Sequence, residues 1–443
     1  MENCLLKADI GFGDRVAVLS ENSPECVGLV MACWKIGAIT APISTRYPAD
    51  KINAILEDIR CEKIFISADN NCPTLKAHTY LLDDFFRSDE SEFSPVDFEI
   101  MDMDLNANAS IIFTSASSGH PKAVLHSIGN HYYSAAGADR NIPFGKGDRW
   151  LMSLSMYHIS GFSLLMRALL KGGTIVFPAP AESLKESILT NRLSHLSVVP
   201  AQLSGLLNES ACVEALKKLK AILIGGSSIP TALIEESLTQ KLPIYTTYGS
   251  TEMASQISTT RPQDLKNNKN SCGKILDYRQ LKIADDGEIL VKGKTLFRGY
   301  VSSDSLELDL DEQGYFHTAD LGYINNGNLF VIGRKDLMFI SGGENIFPEE
   351  IERALEAIEQ IERAIVVPAD DKLLGQRPIA FVKTKMTKPL DAAFIENRLR
   401  KDLEGFKIPI AFFAWPQEII MSLKPNRKAF RDHAAGLITS DDQ

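Results

Sequence analysis

The sequence predicts an α/β protein: a large N-terminal domain of mostly parallel sheets covered by helices, with a small antiparallel section, then a small C-terminal α+β domain. Three observations carry this prediction. Short β-rich runs alternate with helical patterns as far as about residue 270, which implies parallel strands with helices packed over them. Turn signals between strand-like runs then mark antiparallel hairpins. Beyond residue 333 the remaining chain, about 110 residues, is long enough for a domain of its own.

The strand candidates in the first section are Arg15–Leu19, Ile39–Ile43, Lys63–Ile66, Ser110–Phe113, Thr174–Phe177, Leu196–Val199, Ala221–Ile224 and Pro243–Thr246. Between them, Pro24–Ile36 and Ala49–Ile59 carry apolar residues at helical spacing. Farther on, Asp285-Asp286-Gly287-Glu288 joins Leu281–Ala284 to Glu288–Lys292, and Asn325-Asn326-Gly327-Asn328 joins Gly322–Ile324 to Leu329–Ile332. Both read as hairpins. The last section offers a glycine turn, a helix from Pro348, strands Ala364–Val367 and Ile379–Val382, and a helix from Leu390. The boundary falls at Gly333-Arg334-Lys335-Asp336, giving domains of residues 1–333 and 337–443. The tail from Ser440 to Gln443 is expected to fray.

At 443 residues the chain exceeds one ordinary core, and its 44% hydrophobic and 23% charged content is that of a globular protein. The net charge of −10 argues against nucleic-acid binding, because nothing would neutralise a phosphate backbone. No apolar run reaches the length of a membrane span, and the N-terminus lacks the basic and apolar regions of a signal peptide. The cytoplasm is the expected location. Seven cysteines lie scattered without a C-x-x-C pair, which fits reduced thiols better than a disulfide framework or a zinc site. Nothing in the sequence specifies an oligomeric state.

Chemistry first shows at Thr114-Ser115-Ala116-Ser117-Ser118-Gly119-His120-Pro121-Lys122, after the apolar run Ala109–Phe113. Such a loop presents backbone N–H groups and hydroxyls to phosphate oxygens, with Lys122 adding a point charge. Its spacing is not that of a Walker A loop. Alone it reads equally well as a polar surface turn. Four further segments decide between the two. Tyr248-Gly249-Ser250-Thr251-Glu252, after a strand, combines a ring that can stack on a base with a carboxylate suited to Mg²⁺. Phe316-His317-Thr318-Ala319-Asp320 presents an acid suited to a ribose hydroxyl pair. The stretch from Gly333 to Glu352 joins a cation, the Ser341-Gly342-Gly343 turn and a proline-started helix. Leu423-Lys424-Pro425-Asn426-Arg427-Lys428-Ala429-Phe430 offers lysines near the C-terminus.

In this order the five segments resemble the acyl-adenylate-forming family of acyl-CoA synthetases, adenylation domains and luciferases, from about residue 10 to 432. The family's opening strand–helix unit has no counterpart here. Ser155–Gly161, Val199–Leu203, Ile224–Pro230 and Glu252–Ser255 look like a branch whose acid is an aryl compound bearing a keto group and a second carboxylate.

The resemblance implies ATP, Mg²⁺ and coenzyme A as cofactors and a small carboxylic acid as substrate. An acyl-adenylate forms first and an acyl-CoA thioester second. Positioning and charge stabilisation carry such a reaction. It places Thr114, Ser115, Ser117, Ser118, Gly119 and Lys122 over the phosphates. Glu252 becomes the metal ligand, Thr251 sits near the α-phosphate, Tyr248, Gly249 and Gly226 flank the adenine, and Asp320 and Arg334 hold the ribose. Lys424 is the implied adenylation lysine, with Lys428 at the same K-x-x-R spacing as its rival. His158 sits beside the acyl pocket as wall more than as acid or base, with Ser160, Gln202, Gly225, Ser227 and Ser228 around it; no arginine suggests itself for a second carboxylate. Asp336 is the implied hinge of a mobile small domain, and Ser341, Gly342 and Gly343 line the CoA tunnel in its second orientation.

Two departures stand out. Ala116 replaces a glycine of the phosphate loop, and Leu423 replaces the glycine before Lys424. They keep open the reading of a catalytically dead nucleotide-binding module; a ligase for another aryl or medium-chain acid and an enzyme loading a carrier protein stand beside it as alternatives.

Overall fold

The computed structural model describes residues 2–68, 75–87, 103–114, 121–303, 305–385, 391–417, 419 and 426–438. Among them the strands form four sheets. The first has eight strands in the order Leu306–Glu307, Gly299–Val301, Ala123–Ser127, Asn108–Phe113, Ile39–Pro42, Arg15–Leu19, Lys63–Ile66 and His78–Leu81. From Asn108–Phe113 onward neighbours run parallel, and on the other side they run antiparallel. The second sheet has seven strands: Lys274–Ile275, Ser255–Thr259, Ile244–Ser250, Ala221–Ile224, His195–Val198, Arg149–Leu151 and Thr174–Val176. It too is parallel except at its first two strands.

Between these sheets lie three helices, Pro24–Ile36, Ile128–Asp139 and Ile159–Lys171, which form the largest core with Val16, Phe65, Ile112, Trp150 and Ala221. Their ends follow from local chemistry. Ser23 Oγ accepts from Cys26 N and Pro24 opens the first helix, while Gly37 at φ 77° closes it. Ser127 and Asn130 form a reciprocal capping box at the second.

The third sheet is the antiparallel section, with strands Arg279–Ile283, Glu288–Gly293, Phe316–Asn325 and Asn328–Arg334. Both expected hairpins are present. The fourth sheet comprises Glu344–Ile346, Phe339–Ser341, Gly375–Thr384, Ile361–Asp371 and Phe412–Ala414. Alternation along Ile361–Asp371 sends Ala364 and Val366 to a core with helices Pro348–Glu356 and Ala392–Leu399. Ile365 and Val367 face Phe430 and Ala434 of helix Arg427–Ile438 instead.

Several expected elements shift. The strand expected at Pro243–Thr246 begins at Ile244 and runs on to Ser250, and Ala364–Val367 and Ile379–Val382 are only the centres of longer strands. The helix expected from Leu390 is Ala392–Leu399, capped by Asp391, whose Oδ1 accepts from Phe394 N. Leu390 itself lies outside the described residues. Ala123–Ser127 and Ser255–Thr259 form strands that the apolar pattern did not mark. Both carry polar residues whose partners lie far along the chain, such as His126 on Thr251 O and Gln256, whose Oε1 accepts from Arg167 Nη2.

Candidate active site

The carboxyl ends of the parallel strands in the first two sheets open into one cleft of about 3180 Å³, which the third sheet and the small C-terminal section help to line. This is where ligands collect in open α/β sheets. Phe113, Thr114, Pro121 and Lys122 line it from the first sheet, and Thr246–Glu252 from the second.

Thr114 and Lys122 hold the two ends of the phosphate-type loop together. Thr114 N donates to Lys122 O at 3.0 Å, and Lys122 N donates to Thr114 Oγ1 at 3.2 Å. Ser115, Ala116, Ser117, Ser118 and Gly119 fall between them, outside the described residues. Tyr248, Gly249 and Ser250 stand within a strand, not after it, at a register shift against Ser255–Thr259. The shift brings Gly249 so close to its neighbour that a Cβ would sit 2.1 Å from Ser255 O. Ala254 at φ 51° and Ser255 at φ 113° then turn the chain sharply after Glu252. Such left-handed residues concentrate at binding sites.

The acid at 320 sits mid-strand, paired with Arg334 across the hairpin, and so is not a helix or turn cap. Tyr248 Oη donates to Asp320 Oδ2 at 2.6 Å, and Arg334 Nη1 donates to Oδ1 at 3.3 Å. Burial raises the Asp320 carboxyl, while Arg334 and the Tyr248 hydroxyl pull the other way. Arg334 also clasps Asp336 through Nε and Nη2, at 2.9 and 3.0 Å. The residue implied as the hinge is therefore tied to the residue implied at the ribose.

His158, Ser160, Gly225, Gly226 and Ser227 also line the cleft. His158 caps helix Ile159–Lys171 with its backbone, and its exposed ring lies edge-on to Tyr157 at 4.8 Å. Gly226 adopts φ 87°, which a side chain would resist. Gln202 departs from the expectation. Its Oε1 accepts from Val199 N at 3.0 Å and caps helix Pro200–Leu207, so it does not line the cleft.

Three cleft residues, Arg167, Gln256 and Tyr300, escaped the sequence reading. Arg167, on the inner face of helix Ile159–Lys171, is 6% exposed yet reaches the cleft. Its Nη2 donates to Gln256 Oε1, and its guanidinium lies 5.4 Å from the Trp150 ring. Burial lowers it to about 10, with Asp139 opposing. The third is Tyr300, whose hydroxyl donates to Glu252 Oε1 at 2.8 Å. Arg167 sits in a run that reads as an ordinary amphipathic helix.

From the small C-terminal section, Asn426, Arg427, Lys428 and Arg431 line the cleft. Arg427 Nη2 donates to Glu352 Oε2 at 2.7 Å and its Nη1 to Val366 O at 3.0 Å, anchoring the start of the last helix. Lys424 lies outside the described residues. Lys428 is 79% exposed and 3.6 Å from Asp432. Ser341, Gly342 and Gly343 form the tip of a hairpin that does not line the cleft in this orientation. The orientation is held by Arg353, which donates to Val331 O and Ile332 O at 3.2 and 2.8 Å.

The sequence profile of AMP-binding enzymes matches residues 3–301, and that of the AMP-binding enzyme C-terminal domain matches residues 350–421. The chain belongs to the AMP-binding enzyme family. Family membership fits the cleft, with its phosphate-type loop, its Tyr248–Glu252 segment and the Asp320–Arg334 pair. Within the family, a 2-succinylbenzoate–CoA ligase of Bacillus velezensis is 33% identical over 90% of this chain and 84% of its own length. Another, of Oceanobacillus iheyensis, is 31% identical over 90% of this chain and 85% of its own. The o-succinylbenzoate CoA synthetase of Bacillus subtilis, in complex with the acyl-adenylate intermediate OSB-AMP, superimposes with a TM-score of 0.84. It is 29% identical and covers 97% of this chain and 90% of that one.

Among the described residues no helix is long and apolar enough to cross a membrane, and no cluster of three acidic, histidine or cysteine side chains would cage a metal ion.

Proposed function

We propose that this chain is an AMP-forming acid–thiol ligase that joins 2-succinylbenzoate to coenzyme A, working in the cytoplasm on the way to menaquinone. In the first half-reaction a substrate carboxylate oxygen attacks the α-phosphorus of ATP, the bond to the β-phosphate bridging oxygen breaks, and pyrophosphate leaves. In the second, the CoA thiolate attacks the acyl carbonyl and AMP leaves. The observation that carries the substrate is Arg167: a buried cation lining the cleft, held by the neutral Gln256. A substrate with a second carboxylate would complete that pair, and a monocarboxylic acid would leave the charge uncompensated.

The remaining roles divide along the cleft. Thr114, Lys122 and the loop between them hold the β- and γ-phosphates. Asp320 and Arg334 hold the ribose, with Tyr248, Gly226 and Gly249 around the adenine. Mg²⁺ fits a site with one carboxylate, since it is bound by few protein oxygens plus phosphate. Tyr300 occupies Glu252 Oε1 and leaves Oε2 to the cleft among the described residues. Glu252 would hold the ion with Thr251 beside it, and the ion would supply neutralisation of phosphate charge. Lys424 would face the α-phosphate, and His158, Ser160, Gly225 and Ser227 would wall the acid. Residues 1–333 and 337–443 would act as two domains hinged at residues 334–336, with Ser341–Gly343 brought to the thiol in the second orientation.

The test is a panel of carboxylic acids in a pyrophosphate-release assay with CoA and Mg²⁺. Turnover with 2-succinylbenzoate well above the panel supports the reading. No response to it, with strong turnover of a monocarboxylic aryl acid, overturns the substrate.

A further inference from the structure

We infer that Tyr300 is a positioning residue that holds Lys122 and Glu252 apart and aims the free oxygen of Glu252 at the metal. The inference rests on the metal-binding reading of Glu252 given above. Tyr300 lies on strand Gly299–Val301, opposite Val124 on the strand that begins immediately after Lys122. Its hydroxyl donates to Glu252 Oε1 at 2.8 Å, and Lys122 Nζ rests over its ring at 4.7 Å. One side chain thus touches both opposite charges of the phosphate end, each through the part suited to it: the O–H to the anion, the π face to the cation.

Without this spacer an ammonium and a carboxylate lining the same cleft attract each other, and a direct ion pair would fill the oxygen that Mg²⁺ needs. The ring is fixed independently of these contacts. Phe297 lies edge-on at 4.8 Å and Phe316 edge-on at 6.4 Å. Tyr300→Phe therefore removes the hydroxyl and keeps the packing.

The experiment measures Mn²⁺ binding to the enzyme–ATP complex by electron paramagnetic resonance, and ATP binding without metal by calorimetry. Wild type, Tyr300→Phe, Tyr300→Leu and Glu252→Gln are compared. Tyr300→Phe should weaken Mn²⁺ roughly 3- to 10-fold and leave metal-free ATP binding unchanged, since a lost bond to a charged acceptor is felt here only through Glu252. Tyr300→Leu should show the same metal defect and also weaken metal-free ATP binding, because Lys122 loses its platform. Wild-type Mn²⁺ affinity in Tyr300→Phe, with the affinity lost in Glu252→Gln, overturns the role of Tyr300 alone. Wild-type affinity in both overturns the metal reading of Glu252 together with it. Should Tyr300→Leu fail to fold, Tyr300→Phe decides the matter.

Discussion

The Tyr248 hydroxyl donates to Asp320 Oδ2 at 2.6 Å, across seventy-two residues of sequence and between two different sheets. The bond joins the base end of the proposed nucleotide site to its ribose end. Each carboxylate oxygen of Asp320 already accepts one protein hydrogen bond, from Tyr248 or from Arg334, and retains a lone pair for a ribose hydroxyl. Asp320→Asn should weaken AMP binding by roughly 10- to 100-fold, the range for a hydrogen bond to a charged group. Tyr248→Phe should cost less, about 3- to 10-fold, because it only loosens the carboxylate. The double variant should match Asp320→Asn alone, as expected of residues acting as one unit. Calorimetric titration with AMP checks all three, and additive losses would show that Tyr248 acts on the base independently.

Arg167 carries opposite signs for binding and for stability. Without substrate its charge is buried against a neutral amide and a ring, with Arg279 near enough for Arg167 to lower it further. Arg167→Met should leave thermal stability equal or higher, since an apolar side chain replaces a charge buried against neutral groups. The same change should cut kcat/KM for the dicarboxylic acid by roughly 100- to 1000-fold, on the scale of a broken buried pair, and leave KM for ATP alone. Melting curves and a split of the two substrates' kinetics separate these effects.

Legibility in the sequence followed how locally each feature is specified. Arg15–Leu19 and Pro24–Ile36 emerge with the bounds expected of them because an apolar run, a serine cap and a closing glycine are all local signals. Glu252, Asp320 and Arg334 were found through motif order, and they do converge on one cleft. Arg167, Gln256 and Tyr300 were not found, since each is made significant by a partner 48 to 89 residues away. Gln202 was misread for the converse reason. Its amide serves a helix cap three residues back, a local bond that looks in sequence like a free polar group. The half-buried end of strand Ile244–Ser250 was cut short because residues facing a cleft lack the apolar alternation of a core strand.

Lys424 and Lys428 are to be separated by the two half-reactions. Lys428 lies one turn before Asp432 on the last helix and is mostly exposed, as a solvated surface lysine would be. Lys424→Ala should depress adenylation by at least about 100-fold, the scale of losing a group aimed at developing charge. It should spare thioester formation from preformed adenylate. Lys428→Ala should change neither by more than about twofold, given the small worth of exposed pairs. Pyrophosphate exchange and single-turnover thioester assays read the two steps, and a reversed pattern would move the role to Lys428.

Glu356 gives the small C-terminal section a defined pH response. Its Oε1 accepts from Ala364 N at 3.2 Å, and Glu352, Arg363 and Arg427 surround it. Burial is the largest effect and raises its carboxyl from 4.5 to about 7. Between those two values the folded chain keeps a proton that the unfolded chain has released, so stability from this group is full below pH 4.5 and falls as pH rises toward 7. Glu356→Gln carries no such proton. At pH 8 the variant should exceed wild type by about 1–3 kcal/mol, and at acid pH the difference should vanish. Urea denaturation of both proteins at pH 5 and pH 8 measures it, and taking the difference between variant and wild type cancels the titration of groups that do not touch Glu356.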